Sequence, residues 1–461
     1  MSLYSQTELR PASVPLISLS RSPSPYARRS SNSNLESDTD EEEDLDNRPS
    51  LLARGSRKRG FAGFFLEGGL GQWVFATWLG WQLYVSLVVL WCMAASVGLT
   101  LLNVLTLSTG VYKFPYPITL GFVELCLTHL LLWTLAGLTR LASRYLAGMG
   151  FAGMISPSTA PSQPTYRATA RRFGFFPRIA GIAGGGLFEF NLKLVRQMLP
   201  LAIVYTLKVL FSTMCLAYTQ YSMYVQCRIA IVPLSLLFTT YICRTSHSIP
   251  VLSATLTATL TLMVATHRAN VRVAWDAIVA GIASSICVAL YPVLLQKTFT
   301  SQVAALMPQA DLLSDRQGES SADASGSKEE ARASWSILHY VSLISIMIYI
   351  PILILSGEIG NISRNCYFLD SSFLWLILMS QGIVSWGLFF GTFLLARATS
   401  PLTTTFTLIP QVAFLYPFVS NSKVPAYSWI GIAMCWASIA WFVRAQRSQG
   451  RLLERLGRLR T

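Results

Sequence analysis

Ten stretches of about 20 residues with almost no charged side chains constrain this chain more than any other feature of its sequence. At 1.5 Å rise per residue, a helix of that length crosses the hydrocarbon core of a bilayer. Only 13% of the residues are charged, whereas soluble domains have about a quarter. The sequence therefore predicts an all-α membrane protein with ten transmembrane helices, and it excludes an ordinary cytosolic enzyme. The ten apolar runs are 82–107, 117–138, 199–218, 222–243, 249–266, 274–295, 336–356, 373–396, 400–419 and 425–443.

The two ends of the chain differ from this apolar part. Residues 1–60 contain an acidic run and few apolar side chains, so we predict a disordered cytosolic tail. Residues 61–81 are apolar but rich in Gly, and we predict an interfacial lead-in rather than an eleventh transmembrane helix. The predicted ten-helix domain then occupies 82–443, and a basic cytosolic tail, 444–461, follows it.

Two long polar interruptions lie inside the ten-helix domain. Residues 139–198 are rich in Ser, Pro and basic side chains, and residues 298–335 carry several acids. We predict that both are cytosolic loops and that the second is flexible. The succession of ten runs suggests two repeats of five helices, although the two halves share no strong sequence identity.

The distribution of Lys and Arg predicts the orientation, because basic residues accumulate on the cytosolic side of membrane helices. With the N-terminus in the cytosol, the cytosolic segments contain 29 Lys and Arg residues and the opposite side contains five. An even number of helices then places both termini in the cytosol. Asn361, in an Asn-Ile-Ser sequon between the seventh and eighth runs, is a glycosylation candidate on the opposite side. The net charge of +14 thus indicates orientation, and not nucleic-acid binding.

Few ionisable side chains lie inside the predicted helices, and a charge at mid-depth costs on the order of 3 kcal/mol. Three cations, Lys208, Arg228 and Lys297, outnumber the one deeply placed acid, Glu124. This excess of positive charge favours an anionic substrate over a proton or metal pathway. Two alternatives stay open, since Lys297 could snorkel at a helix end and Glu124 could pair with Lys208 or Arg228 for structure alone.

Other motifs restrict the chemistry or predict helix packing. With four scattered His and no Cys/His cluster, the sequence predicts no metal site, and it contains no phosphate-binding Gly-rich loop of an ATP-driven pump. Gly387 and Gly391 have a GxxxG spacing, which predicts close contact between helices. Four prolines inside the apolar runs are expected to kink their helices: Pro233, Pro292, Pro351 and Pro410.

Four stretches of the chain, taken in order, carry a resemblance to a known family. Asn103 precedes the first stretch, Tyr224 and Arg228 follow the second, and Lys297 follows the third. The stretches are 114–120, 214–218, 283–291 and 398–403. Together they resemble the nucleotide-sugar and triose-phosphate translocator branch of the drug/metabolite transporter superfamily, and GDP-fucose transporters look nearest.

The resemblance implies two inverted five-helix repeats around a central cavity, which is the drug/metabolite transporter fold. It also implies a secondary transporter, not an enzyme, that exchanges a nucleotide sugar or related sugar phosphate across a Golgi or ER membrane by antiport with a nucleoside monophosphate. Where the family has a phosphate-binding lysine in the ninth helix, this chain has Gln411. A carrier for a less charged metabolite and a non-transporting membrane scaffold that retains the fold therefore remain alternatives.

The candidate substrate-binding residues combine cations, aromatic rings and amides. Arg228 would fork onto phosphate oxygens, with Lys297 and Lys208 as point charges. Aromatic rings would stack on the base or bond to sugar hydroxyls. The remaining candidates are Tyr224, Tyr291, Tyr340, Gln226, Gln411 and Asn103. We expect no metal and no other cofactor. The expected partners are a small anionic substrate and the lipid membrane, and a homodimer stays open.

Overall fold

The computed structural model describes residues 69–107, 114–149, 151–157, 182, 191–219, 221–267, 275–314, 322–365, 371–419 and 425–458. Every regular element in these ranges is helical, and ten helices in them are long and apolar enough to cross a membrane. The spans, numbered 1 to 10 in chain order, are Trp78–Leu107, Pro117–Leu141, Leu192–Tyr218, Tyr221–Ile242, Ile249–Thr266, Trp275–Leu306, Glu330–Ser356, Ser372–Ala398, Pro401–Val419 and Ala426–Gln449. The all-α class and the number of spans are therefore confirmed. The predicted tail at 1–60 lies outside the described residues.

Large apolar side chains cover the outside of the helix bundle. Leu87 and Leu90 of span 1 are 63% and 68% exposed, and Leu260 and Met263 of span 5 are 63% and 58% exposed. A water-soluble protein rarely leaves so much apolar surface uncovered, whereas lipid tails solvate it. The exterior thus agrees with the hydropathy of the spans, and the chain is a multi-pass membrane protein.

Several helices are longer than the apolar pattern predicts. Span 6 belongs to a helix Trp275–Ser314 and span 7 to a helix Ala322–Ser356, so most of the predicted flexible loop 298–335 is helical. Span 10 continues in the same way to Arg458. Hydropathy misses such extensions because Ala, Glu, Lys, Arg and Gln are polar or small and still strong helix formers.

The segments around span 2 are also more ordered than predicted. Part of the predicted lead-in forms a helix, Gly69–Ala76. A second short helix, Ser143–Gly148, follows span 2. The two are joined because Gly71 N donates a hydrogen bond of 2.8 Å to the carbonyl oxygen of Met149, the residue after the second helix. A short 3-10 turn, Ala152–Met154, follows. Span 3 begins inside the predicted loop 139–198, at Leu192, because Asn191 caps the helix through Lys193 N at 3.1 Å.

Glycines bring span 8 close to spans 1 and 2. Trp91 Nε1 of span 1 donates a 3.0 Å hydrogen bond to Gly387 O, and a Cβ atom at Gly391 would lie 2.9 Å from Trp91 Cδ1. A Cβ atom at Gly382 would lie 2.6 Å from Leu127 Cβ of span 2. The close helix contact that the GxxxG spacing predicts is therefore confirmed, and Gly382 makes a second one.

Spans 4 and 9 are each broken in the middle. Span 4 consists of helices Tyr221–Ile229 and Ile231–Ile242, and span 9 consists of Pro401–Phe406 and Leu408–Val419. The breaks come three residues before Pro233 and Pro410, and a proline lacks the N–H that would bond to the carbonyl group four residues earlier. The two broken spans touch each other, since Thr405 Oγ1 donates a 2.8 Å hydrogen bond to Ser235 Oγ. Pro292 and Pro351, in contrast, leave their helices unbroken.

A short helix after span 7, Glu358–Asn365, caps the beginning of span 2. Span 2 has no side-chain cap of its own at Tyr116. Glu358 replaces it, because its carboxylate accepts hydrogen bonds from Thr119 N at 2.7 Å, Thr119 Oγ1 at 2.8 Å and Ile118 N at 3.3 Å. Negative charge at a helix N-terminus is stabilising. The glycosylation candidate, Asn361, is exposed on this short helix.

Candidate substrate site

A cavity of about 70 Å³ lies inside the bundle, at the breaks of spans 4 and 9. Ile231, the first residue after the break in span 4, and Thr407, the break residue of span 9, both line it. The other lining residues come from spans 1, 3, 6, 8 and 9. The polar side chains in the lining are Ser96, Lys208, Tyr291, Thr392, Thr404, Thr405, Thr407 and Gln411.

Lys208 of span 3 is the charged residue in this lining. Its Nζ atom lies 4.7 Å from the ring centroid of Tyr291 and 5.6 Å from that of Tyr205. Cation–π contacts of this kind hold an ammonium group without neutralising its charge. Within the described ranges no carboxylate lies within 4.0 Å of Lys208, so its charge is available to an anion.

Two more of the predicted residues meet Lys208 in the cavity. Tyr291 of span 6 supplies one of the two aromatic rings, and Gln411 of span 9 is almost completely buried in the lining. Gln411 Oε1 accepts a 2.8 Å hydrogen bond from Ser96 Oγ of span 1. The cavity thus combines an ammonium group, a phenol, an amide and several hydroxyl groups.

Arg228 and Tyr224 form a pair beside the cavity and do not line it. Arg228 Nη1 donates a hydrogen bond to the Tyr224 hydroxyl, and Arg228 Cζ lies 5.1 Å from the Tyr224 ring centroid. Arg228 Nε has no hydrogen-bond partner in the part of the chain that the structure describes. Arg228 lies two residues before the break in span 4, and its positive charge acts on Lys208.

Three predicted residues lie elsewhere. Gln226 Nε2 donates a 3.1 Å hydrogen bond to Thr266 O at the end of span 5, and thereby ties spans 4 and 5 together. The Tyr340 side chain is buried in the helix core, and its hydroxyl accepts a hydrogen bond from Asn191 N at 3.3 Å. Lys297 is exposed, which is the arrangement expected of snorkelling.

Asn103, the last predicted residue, belongs to a buried polar group outside the cavity. Its Oδ1 atom accepts a hydrogen bond from Gln381 Nε2 of span 8, and its side chain lies beside the carboxyl group of Glu124. The predicted alternative in which Glu124 pairs with Lys208 or Arg228 is wrong for the described conformation, because neither cation is within 4.0 Å of it. Amide and hydroxyl groups surround this acid instead.

Sequence reasoning missed two contributors to the site. Tyr205 lies one helical turn before Lys208 and shares its ammonium group with Tyr291. Ser96 of span 1 donates a hydrogen bond to Gln411 of span 9. The i, i+3 spacing of Tyr205 and Lys208 was available as a signal. The Ser96 contact joins residues that are 315 positions apart and has no local signature.

Fold and site together define a class: a multi-pass helical membrane protein with an internal cation at the meeting point of two interrupted helices. The break residues, Ala230 and Thr407, keep helical dihedral angles, so each break is a local interruption of the hydrogen-bond ladder before a proline. Proline-interrupted segments in membrane carriers mark binding sites. An ammonium group held by aromatic faces inside such a cavity selects for negative charge.

Comparison with known proteins finds relatives of low sequence identity. No family model matches the chain. The chain is 25% identical over 218 residues to GDP-fucose transporter 1 of Dictyostelium discoideum, which covers 47% of this chain and 51% of that protein. It is 21% identical over 268 residues to GDP-fucose transporter 1 of Nematostella vectensis, which covers 57% of this chain and 70% of that protein. The chain thus spans about half the length of the first relative.

Proposed function

We propose that this chain is a secondary transporter that exchanges a nucleotide sugar, or a related sugar phosphate, for a nucleoside monophosphate across a Golgi or ER membrane. The observation that carries the proposal is the position of Lys208. Its ammonium group lies in a cavity where spans 4 and 9 are interrupted, and no carboxylate of the described residues is within 4.0 Å of it. The similarity to two GDP-fucose transporters supports the same class of substrate.

The positions of the two helix breaks support an arrangement of two inverted five-helix repeats. Span 4 is the fourth span of the first five, and span 9 is the fourth of the second five. Both are interrupted three residues before a proline, and they contact each other at Ser235 and Thr405. Interrupted helices in corresponding positions of two halves are the pattern that inverted repeats produce around a central site.

Exchange would use the positive charges in the following way. A phosphate group that enters the cavity would contact Lys208. The negative charge of the phosphate would also offset the repulsion between Lys208 and Arg228. The Nε–H group of Arg228, which has no hydrogen-bond partner among the described residues, would donate to a phosphate oxygen. The ring of Tyr291, in the same lining, would stack on a base. Both the incoming sugar nucleotide and the outgoing monophosphate carry phosphate, so one site suits both.

The size of the cavity implies a conformational cycle. Sites for drug-sized ligands occupy about 300–1,000 Å³, whereas this cavity encloses about 70 Å³. A nucleotide sugar therefore enters only when the helices around the cavity separate. The breaks in spans 4 and 9 lack part of the backbone hydrogen-bond ladder, which makes them suitable places for that movement.

A second candidate function follows from Gln411. This residue lines the cavity next to Ser96 and is neutral, so the cavity wall contains one cation and not two. A metabolite with fewer negative charges would need only that one. The alternative to nucleotide-sugar exchange is therefore a carrier for a less charged metabolite, and the third candidate remains a scaffold without transport.

The test is exchange by purified protein in liposomes. Vesicles loaded with guanosine or uridine monophosphate are given radiolabelled GDP-sugars, UDP-sugars, sugar monophosphates and uncharged sugars in parallel. We expect uptake of a nucleotide diphosphate sugar, and this uptake should require the nucleoside monophosphate inside the vesicles. Uptake of monophosphorylated or uncharged ligands alone would establish the second candidate. A protein that neither transports any of these ligands nor gains thermal stability from them would be a scaffold.

For the orientation, we expect both termini in the cytosol and the Glu358–Asn365 helix on the lumenal side, because 29 basic residues fall on one side and five on the other. In intact microsomes, protease added outside should digest a tag at either terminus. A glycosidase that removes N-linked glycans should lower the apparent mass unless Asn361 is changed to Gln. A protease-protected tag would reverse this orientation.

A further inference from the structure

Glu124 of span 2 lies in a polar site that the substrate cavity does not include. Its side chain is 4% exposed. Asn103 of span 1 and Ser385 of span 8 lie beside its carboxyl group, and Gln381 of span 8 donates a hydrogen bond to Asn103. These four residues are the Glu124 cluster. None of them lines the cavity.

The Glu124 cluster contains polar atoms that are buried and unpaired. Glu124 Oε1 and Gln381 Oε1 have no hydrogen-bond partner among the residues that the structure describes. The same holds for Thr128 Oγ1, one helical turn after Glu124. Leaving such atoms unpaired costs free energy, so a buried group of them calls for a functional explanation.

The groups that face Glu124 include no positive charge within 4.0 Å in the described ranges. Spans 1 and 8 contribute amides and a hydroxyl group. The titratable groups close enough to sense the charge of Glu124 are Tyr205 of span 3, Tyr224 of span 4 and Tyr349 of span 7. Glu358, after span 7, acts on Tyr349 as well.

Other titratable groups lie on the helices around Glu124, and one of them is the buried His339 of span 7, whose ring centroid is 5.7 Å from that of His129. His129 of span 2 has its Nδ1 atom 2.9 Å from Ser342 Oγ of span 7, and Cys126 is half-buried on the same span. Lys208, one turn after Tyr205, has its ammonium group over the Tyr291 ring. Arg228 bonds to Tyr224. Among the described residues, Glu124 therefore has no counterion within 4.0 Å.

A buried acid of this kind has one favourable state. An ionised carboxylate without a cation loses its hydration and gains nothing in return, so burial favours the protonated acid. A protonated carboxyl group can donate one hydrogen bond and accept others, which matches the amide and hydroxyl groups around it. Water that enters the cluster reverses this preference, because it solvates the ionised form.

The position of the cluster along spans 1 and 8 determines which side of the membrane its water would come from. Asn103 lies seven residues after Ser96 on span 1, and Gln381 lies seven residues before Leu388 on span 8. Ser96 and Leu388 line the cavity, so the cluster lies about 10 Å from it along both helices. Since these spans run in opposite directions, both displacements point to the same face, which is the lumenal face in the proposed orientation.

We propose that the Glu124 cluster binds a proton and exchanges it with lumenal water whenever spans 1, 2 and 8 separate on that side. The O–H bond of the acid breaks on hydration and the proton passes to water, and the bond forms again before the cluster closes. The cluster takes up and releases this proton during transport, and that part of the inference depends on the proposed function. Low lumenal pH would then favour closure of the lumenal side.

The first experiment does not depend on transport. Infrared spectra of the purified protein in lipid at neutral pH should contain a carboxylic-acid C=O band that Glu124→Gln removes. The matched control is Glu330→Gln, because Glu330 is 42% exposed and forms an ion pair of 2.7 Å with Arg397, and that variant should keep the band. Absence of the band in the native protein would overturn the proposal. A band that disappears when sodium ions are added would also overturn it, because the carboxyl group would then bind a metal ion in place of the proton.

The second experiment measures exchange while the lumenal pH is lowered from about 7.5 to about 5.5. We expect the native rate to rise, by at most about tenfold per pH unit for a single proton. Glu124→Gln, which resembles the protonated acid, should exchange at a rate independent of pH. Glu124→Asp keeps an acid and should remain pH-dependent, as should Glu330→Gln. A native pH profile in Glu124→Gln would overturn the proposal, whereas a native protein without any exchange would overturn the proposed function and leave the infrared result standing.

Discussion

Replacement of Lys208 by Gln is expected to lower nucleotide-sugar exchange about tenfold to a hundredfold. Lys208 is the charged group in the cavity wall, and its substitution removes a charge-assisted hydrogen bond to phosphate worth roughly 1.5–3 kcal/mol. Gln is similar in length and still polar, so the cavity keeps its shape. The measurement is the initial rate of exchange in proteoliposomes at substrate concentrations below saturation.

A matched control for this substitution is Lys193→Gln, since Lys193 is exposed in the first turn of the same span. It should exchange at the native rate. Thermal unfolding in detergent separates a binding effect from a folding effect. Lys208 is half-buried, and no carboxylate of the described residues lies within 4.0 Å of it, so removal of its charge should leave the Tm equal to or above the native value. Native exchange rates in Lys208→Gln would contradict the proposed phosphate contact.

Gly382→Leu should prevent the protein from folding into a stable bundle. A Cβ atom at Gly382 would already lie 2.6 Å from Cβ and 2.9 Å from Cγ of Leu127, so spans 2 and 8 would have to move apart. Inserting extra carbon atoms into a well-packed core typically costs about 1–3 kcal/mol, and a leucine at a helix crossing lies at the upper end or beyond. The measurement is the yield of monodisperse protein after size-exclusion chromatography in detergent.

Gly137→Leu provides the control for that experiment. Gly137 is on span 2, one of the two spans that cross at Gly382, and a Cβ atom there would have nothing within 4 Å. Its yield should match that of the native chain. If Gly382→Leu gave an equal yield of monodisperse protein, spans 2 and 8 would not be packed as closely as the structure has them.

The number of spans could be predicted from the sequence because it depends on hydropathy, which acts locally. Helix ends could not, as the Trp275–Ser314 helix illustrates. Beyond the membrane, its polar residues have no apolar pattern, and helix propensity decides instead. The breaks in spans 4 and 9 could be predicted only in part. Pro233 and Pro410 are visible in the sequence, but so is Pro292, which leaves its helix unbroken.

The cavity residues could be predicted only where an unusual side chain marked them. Lys208 stands out because charge inside an apolar helix is costly. Gln226 and Tyr340 also lie inside apolar runs, yet Gln226 bonds to the end of span 5 and Tyr340 packs in the core. Sequence indicates how deep a residue lies and not which neighbour it faces, because the rotation of each helix is set by long-range packing such as that of Gly387 on Trp91.

The carboxylate of Glu358 has a mechanical consequence. Its three hydrogen bonds couple the start of span 2 to the segment that leaves span 7. These two points are about 240 positions apart in the chain. Any rearrangement that opens this end of the bundle must move both helix ends together or first break these hydrogen bonds. The covalent order of the helices therefore does not determine which of them travel as a unit.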